Sequence, residues 1–308
     1  MSKMHLYTHP DCEKHELEQH PERPERLRAV TERLQVSGLV QDMQVCLATE
    51  PPDNLLNLVH PEAYVESVNQ SEPTDSIIRL DPDTYMSPGS LRAAKLAAGA
   101  CISAVKDILD GKTERAFCAV RPPGHHAELA AAMGFCIFNN IALAAETALT
   151  YPGINRVAIV DFDVHHCNGT VDIFKDRPEV MVCSSFQQNH YPYRYLDYTN
   201  DHVVNSPLPA GTDGSAFRSA IEQDWLPALQ DHRPDLLLIS AGFDAHELDP
   251  LADLRLREAD YKWITAALAD IAADHANNRI MSTLEGGYHL TALADSVEAH
   301  VAKLLQYN

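Results

Sequence analysis

The sequence predicts a single α/β domain over residues 1–308, built on a mostly parallel, multi-stranded sheet with helices on both faces. Three observations carry this reading. Short, wholly apolar runs rich in β-branched residues recur along the chain, as expected of strands buried on both faces. Between them lie segments whose apolar residues repeat at helical spacing, the alternation of a layered α/β fold. Unusual polar clusters follow the apolar runs, and in open α/β sheets sites form beyond the carboxyl ends of the strands.

The first helix is expected over 24–37, PERLRAVTERLQVS, where Leu27, Val30 and Leu34 share a face and Gly38 supplies the stop. A second lies within SPGSLRAAKLAAGACISAVKDILDG, with Ser90 as cap and Gly111 as terminator. Further helices are expected at 138–149, 215–230, 258–275 and 291–306. Strands are expected at 116–120 (AFCAV), 157–162 (VAIVDF), 180–185 (VMVCSS), 236–240 (LLLIS) and 280–284 (IMSTL). No internal repeat or low-complexity linker divides the chain.

A chain of 308 residues can bury about three-quarters of its unfolded surface. Its apolar runs stop well short of the roughly 18 residues that a membrane span needs. The polar opening MSKMHLYTHPDCEKHELEQHPERPERL has no signal-peptide core, so a cytoplasmic location without membrane contact is expected. The seven cysteines are odd in number and lack CxxC spacing, which argues for free thiols. A formal charge of −20 excludes a broad nucleic-acid footprint and suits a cationic small molecule or a basic peptide. Many soluble enzymes are equally acidic.

Five strand ends carry chemistry. In DFDVHHCNGT, Asp161, Asp163 and His165 stand at alternate positions, and an extended chain turns such residues to one side. A lone DxD would read as a capped strand end. Followed by His-His and matched by a second acidic strand end, SAGFDAHELDP, it reads as a metal site. Asp244 is the natural third ligand there, with His246 and Asp249 as alternatives. Three mixed N and O ligands leave a position open for water, as in a hydrolytic metal centre. Zn²⁺ suits this donor set, and Fe²⁺ or Co²⁺ is also compatible.

In RPPGHHAE, His125 and His126 cannot face the same way on a regular element, so each needs its own partner. One would act as base toward water while the other supplies charge or a proton to the leaving group. Asp161 and Asn168 are candidate acceptors for their far nitrogens. In EGGYHL, the glycines let the backbone approach a ligand, and Tyr288 can donate its hydroxyl to a developing oxyanion.

Taken in order, HPERPERL, RPPGHHA…GFCIFNN, DFDVHHCNGT, SAGFDAHELDPLADL and EGGYHL resemble the zinc-dependent histone deacetylase family, including its bacterial deacetylase-like amidohydrolases. Asparagine at 168 resembles the class II branch. The resemblance implies that Asp163, His165 and Asp244 bind zinc. It also implies a catalytic pair, His125 backed by Asp161 and His126 by Asn168, with Tyr288 polarising the scissile carbonyl. The neighbours compete as general base, and His126 is the preferred one. A K⁺ ion is implied beside the zinc, on Asp161, Asp163, the His165 carbonyl, Ser184 and the Ser185 carbonyl. Phe135 and Tyr191 match the two aromatic walls of an acyl-lysine tunnel, and Gly134 and Gly287 are implied among the substrate-binding residues. Arg26 matches the arginine of the cavity behind the metal. Leu251 stands where polyamine-selective relatives carry glutamate. Asp83 is a candidate anchor for the substrate backbone, or else a helix-flanking surface residue.

The expected activity is removal of acetyl or other acyl groups from an amine, N-acetyl-lysine in proteins or peptides ahead of acetylpolyamines and other small amides. A binuclear manganese ureohydrolase and an inactive acyl-lysine-binding module are the competing readings. The order DxDxH and a single well-placed carboxylate in GFDAH disfavour the first, and the intact set of site residues disfavours the second. Cys167 stands where the family usually has glycine. It is expected not to ligate the metal and to have backbone geometry that a Cβ tolerates. Oligomeric state is left open.

Overall fold

A computed structural model describes residues 4–306. Its strands are β1 (Met4–Thr8), β2 (Met43–Leu47), β3 (Ile78–Asp81), β4 (Thr84–Met86), β5 (Arg115–Cys118), β6 (Val157–Asp161), β7 (Val180–Gln187), β8 (Val203–Leu208), β9 (Leu236–Ala241) and β10 (Ile280–Leu284). Its helices are α1 (Pro24–Val36), α2 (Asp53–Leu56), α3 (Glu62–Gln70), α4 (Ser90–Leu109), α5 (Asn140–Leu149), α6 (Asn168–Phe174), α7 (Gly214–His232), α8 (Glu258–His275) and α9 (Leu290–Leu305).

Eight strands form one sheet in the order β2-β1-β5-β10-β9-β6-β7-β8, and every pair in it is parallel. Every residue of β5, β6, β7, β9 and β10 is buried, which explains why these strands read as unbroken apolar runs. The helices fall into two contacting groups, α4 with α5, and α1 with α9, α8 and α7. β3 and β4 form a separate antiparallel hairpin.

All five expected strands and all six expected helices are present, with ends shifted by a residue or two. The second helix differs in its cap. Ser90 is its first residue, and Gly89 precedes it in the left-handed region at φ 89°. The Ser90 hydroxyl accepts instead from the Ser87 N–H at 2.8 Å and meets His15 Nδ1 at 2.7 Å. Gly38 and Gly111 follow their helices at φ 80° and 73°, as C-terminal stops do. All seven cysteines are unpaired. Among the described residues, no helix is long and apolar enough to cross a membrane.

α4 packs so closely on the segment after β2 that one of its residues has no room for a side chain. A Cβ on Gly99 would lie 1.8 Å from the Thr49 carbonyl oxygen. We therefore expect Gly99→Ala to destabilise the fold by about 1–3 kcal/mol, the usual cost of overpacking, despite alanine's better helix propensity. Denaturant midpoints at unchanged m-value check this.

Candidate functional site

The carboxyl ends of β5, β10, β9, β6 and β7 lie side by side, and the loops leaving them converge. β6 ends at Asp161, so the DxDxH residues do not continue an extended strand. The chain turns twice instead: the Asp163 N–H donates to Asp161 Oδ1 at 3.0 Å, and the His165 N–H to Asp163 Oδ1 at 2.9 Å. Each carboxylate thereby folds the backbone that positions the next side chain. One donor atom each from Asp163, His165 and Asp244 falls within 4.8 Å of the others, and all three residues are buried.

His165 Nδ1 faces the centre, 3.0 Å from Asp163 Oδ1 and 3.2 Å from Asp244 Oδ2. Asp244 Oδ1 accepts from the Val164 N–H at 2.9 Å, whereas the buried Oδ2 has no hydrogen-bond partner. A buried carboxylate oxygen left over and aimed at an imidazole suits a divalent cation. Gly286 keeps the space clear, since a Cβ there would lie 2.0 Å from Asp244 Oδ2. The alternatives for third ligand point elsewhere. His246 Nε2 pairs with Glu258 at 3.3 Å, and Asp249 accepts the Tyr288 N–H at 2.7 Å, bracing that tyrosine.

His125 Nδ1 lies 2.9 Å from Asp161 Oδ2. Burial opposes charge on this ring, but Asp161 and Asp163 override it and push its pKa up to about 10. His126 Nδ1 lies 2.6 Å from Asn168 Oδ1. Burial, then the neighbouring His125 and His165, hold its pKa well below the ordinary imidazole value. The Asn168 amide is oriented by its own donation to Glu128 Oε1 at 2.8 Å, and Glu128 Oε2 pairs with Arg194 at 2.5 Å. With Asn168 Oδ1 accepting from Nδ1, His126 presents Nε2 unprotonated. The two adjacent histidines thus differ in charge state because their partners differ.

Asp83, His126, Gly134, Phe135, His165, Tyr191, Leu251 and Tyr288 line a narrow cavity of about 110 Å³ above this centre. Phe135 adopts φ 69°, uncommon for a bulky residue. Its N–H donates to Thr84 Oγ1 at 3.1 Å, and the Gly134 N–H donates to Asp83 Oδ1 at 2.9 Å. Asp83 therefore sits in the β3–β4 turn at the cavity wall, not beside a helix. Gly287 is not among these lining residues; its carbonyl accepts from Arg26 Nε at 2.5 Å. Ser184 pairs with Asp161 in the β6–β7 ladder, and Ser185 follows it.

Cys167 is buried outside the three-residue centre, with φ −77° and ψ 58°, a conformation in which a Cβ is unstrained. His166 turns away to Asn205 Oδ1 at 3.1 Å. Four further residues stand against the site, and of these only His190 lies outside the motifs read above. His20 stands edge-on to Phe135 at 4.6 Å, and His190 stacks on His165 at 5.2 Å. Glu128 steers Asn168, as above. The buried Glu285 accepts from the Gly124 and His125 N–H groups at 2.7 and 3.2 Å.

Beneath the site, Arg26 donates to the Gly287 and Glu285 carbonyls and to Glu22 Oε1 at 3.0 Å. Glu22 also takes a two-pronged contact from Arg121 at 2.5 and 2.6 Å. All three side chains are fully buried. Burial would raise the Glu22 pKa, but Arg121, then His15 and Arg26, pull it down to about 2.

The histone deacetylase domain model matches residues 20–304. The chain belongs to the histone deacetylase family, whose members are hydrolases acting on amides. It is 38% identical over 276 residues to the histone deacetylase-like amidohydrolase of Pseudomonas aeruginosa, covering 87% of this chain and 72% of that protein. It is 34% identical over 317 residues to the polyamine deacetylase HDAC10 of Homo sapiens, covering 97% of this chain and 46% of that one. The crystal structure of the HDA15 HD domain superposes with a TM-score of 0.94 at 34% identity, over 99% of this chain and 88% of that chain.

Glu22→Gln leaves two buried guanidinium groups short of a counter-charge. We expect a loss of about 3–5 kcal/mol at neutral pH. The folded pKa of Glu22 lies below its usual value of 4.5, so its contribution is complete above pH 4.5 and is lost as pH falls toward about 2. Urea titrations across that range should show the wild-type advantage shrinking as the solution is acidified.

Proposed function

We propose that this protein is a zinc-dependent deacetylase that removes acetyl groups from N-acetyl-lysine in proteins or peptides. The observation that carries the reading is the arrangement of Asp163, His165 and Asp244 at the floor of an aromatic-walled cavity, with His126 and Tyr288 at its sides. A divalent ion held by that trio supplies Lewis acidity toward the amide carbonyl and makes water there more acidic.

The chain's own groups do the rest. Phe135 and Tyr191 wall a slot for a straight, apolar acyl-lysine stem, and water is excluded as it enters. His126 Nε2 takes a proton from the attacking water, with Asn168 fixing its tautomer and orientation. His125, kept protonated by Asp161, supplies positive charge and a proton for the departing amine. Burial raises the Tyr288 pKa well above the ordinary phenol value, so its hydroxyl stays protonated and donates to the developing oxyanion. Asp83 is assigned to anchor the substrate backbone at the mouth. A structural K⁺ is assigned to Asp161, Asp163, the His165 carbonyl, Ser184 and the Ser185 carbonyl. The unpaired cysteines suit the reducing cytoplasm.

Acetylpolyamines are the second reading, favoured by the likeness to a protein named a polyamine deacetylase. Against it, the lining residue Leu251 places no charge where a second ammonium would need one. kcat/KM for acetyl-lysine peptides should exceed that for N-acetylputrescine and N-acetylcadaverine, and the reverse order would transfer the assignment.

Tyr288→Phe should lower kcat by about 10²–10³-fold while the protein keeps its metal. Unchanged turnover would remove the oxyanion role. Asn168→Ala should cost about 10–100-fold in kcat, again with metal retained. Chelation should abolish activity, and Zn²⁺ should restore it.

A further inference from the structure

A second set of metal-ligating side chains lies on the flank of the sheet, where β1 and β2 meet α4. His5 and Tyr7 alternate on β1, and Cys46 of β2 stands opposite Tyr7 in the parallel ladder. Asp107, two residues from the end of α4, reaches down onto them. Its Oδ2 lies 3.1 Å from His5 Nδ1 and 2.5 Å from the Tyr7 hydroxyl. One donor atom each from His5, Cys46 and Asp107 falls within 4.8 Å of the others. The deacetylase centre uses none of these residues.

We propose that His5, Cys46 and Asp107 bind a second, structural ion of the Zn²⁺ class. A neutral imidazole, a thiolate and a carboxylate form a mixed N, S and O set, which selects zinc over the hard cations that prefer oxygen alone. Donor separations in tetrahedral zinc sites are about 3.3–3.6 Å, so small side-chain rotations close this cluster on an ion. The Tyr7 hydroxyl donates to the same Asp107 oxygen and so orients the carboxylate.

Charge and access also fit. The ion brings two positive charges, matched by Asp107 and by Cys46 once its thiol proton is released. Asp107 is now paired with Lys112 at 2.7 Å, and that ammonium has a second partner, Asp110, at 3.3 Å, to which it can turn. Cys46 and Asp107 are only partly buried, so an ion can enter from the edge of the sheet. The bound ion would tie the edge strand β2 and the strand β1 to α4.

The test uses the full chain. Loaded with Zn²⁺, wild type should carry about two ions, whereas Cys46→Ser and Asp107→Asn should each carry about one and keep deacetylase activity. That count rests on the active-site metal proposed above. A second readout does not: Co²⁺-loaded protein should show a near-ultraviolet thiolate-to-cobalt band, present in Asp244→Asn and absent in Cys46→Ser. If the active-site reading alone fails, wild type holds a single ion that Cys46→Ser loses. Persistence of the band in Cys46→Ser, or its absence from Co²⁺-loaded wild type, overturns the second site and leaves a plain His5–Asp107–Tyr7 hydrogen-bond network.

Discussion

The constraint on which this structure turns is the burial of Asp161, Asp163, Asp244 and Glu285 together at the ends of adjacent parallel strands. Taking one carboxylate out of water costs several kcal/mol unless it is paired or hydrogen-bonded. Each is accounted for separately: Asp161 by His125, Asp163 by two backbone N–H groups and His165, Glu285 by the Gly124–His125 backbone. Asp244 keeps one oxygen without a hydrogen bond. Much of the surrounding architecture reads as compensation for this one concentration of negative charge, and Gly286 lets the backbone come close because a Cβ there would strike Asp244 Oδ2 at 2.0 Å.

The same compensation explains the division between the two histidines. They are neighbours in sequence and their ring centroids are 4.0 Å apart, so both cannot easily be charged. The ring beside the carboxylates holds the proton, and the ring facing an amide does not. An aspartate in place of Asn168 would weaken that contrast, because a second anion would favour charge on both rings.

Much of this was legible in the sequence, for a physical reason. Strands buried on both faces must be apolar along their whole length, so β5, β6, β7, β9 and β10 stood out, and the polar residues directly after them marked the site. β1, β2 and β8 escaped notice because nothing so uniform marks them. β2 is an edge strand with Val45 and Leu47 exposed, and β8 carries Asn205, Ser206 and Pro207 in its short run. The DxDxH spacing brought the right residues together on an argument only half correct, since turns rather than an extended strand position Asp163 and His165. His190 could not be found locally, because it acts on a residue brought near by tertiary folding and nothing in its own neighbourhood distinguishes it. His20 and Glu128 lie inside the HPERPERL and RPPGHHAE motifs, but only the fold shows what they touch.

The strand order carries a consequence for biosynthesis. β5 and β6 are successive sheet strands in the chain, yet they are not neighbours; β9 and β10, made later, fill the gap between them. A growing polypeptide therefore exposes the His125–His126 loop and the DFDVHH turns long before Asp244 and Tyr288 exist. Until β9 and β10 are inserted, β5 and β6 each lack a partner on one side, an arrangement that closes slowly because its contacts are distant in sequence. The reactive constellation is thus withheld from partly made protein until Asp244 and Tyr288 have been added.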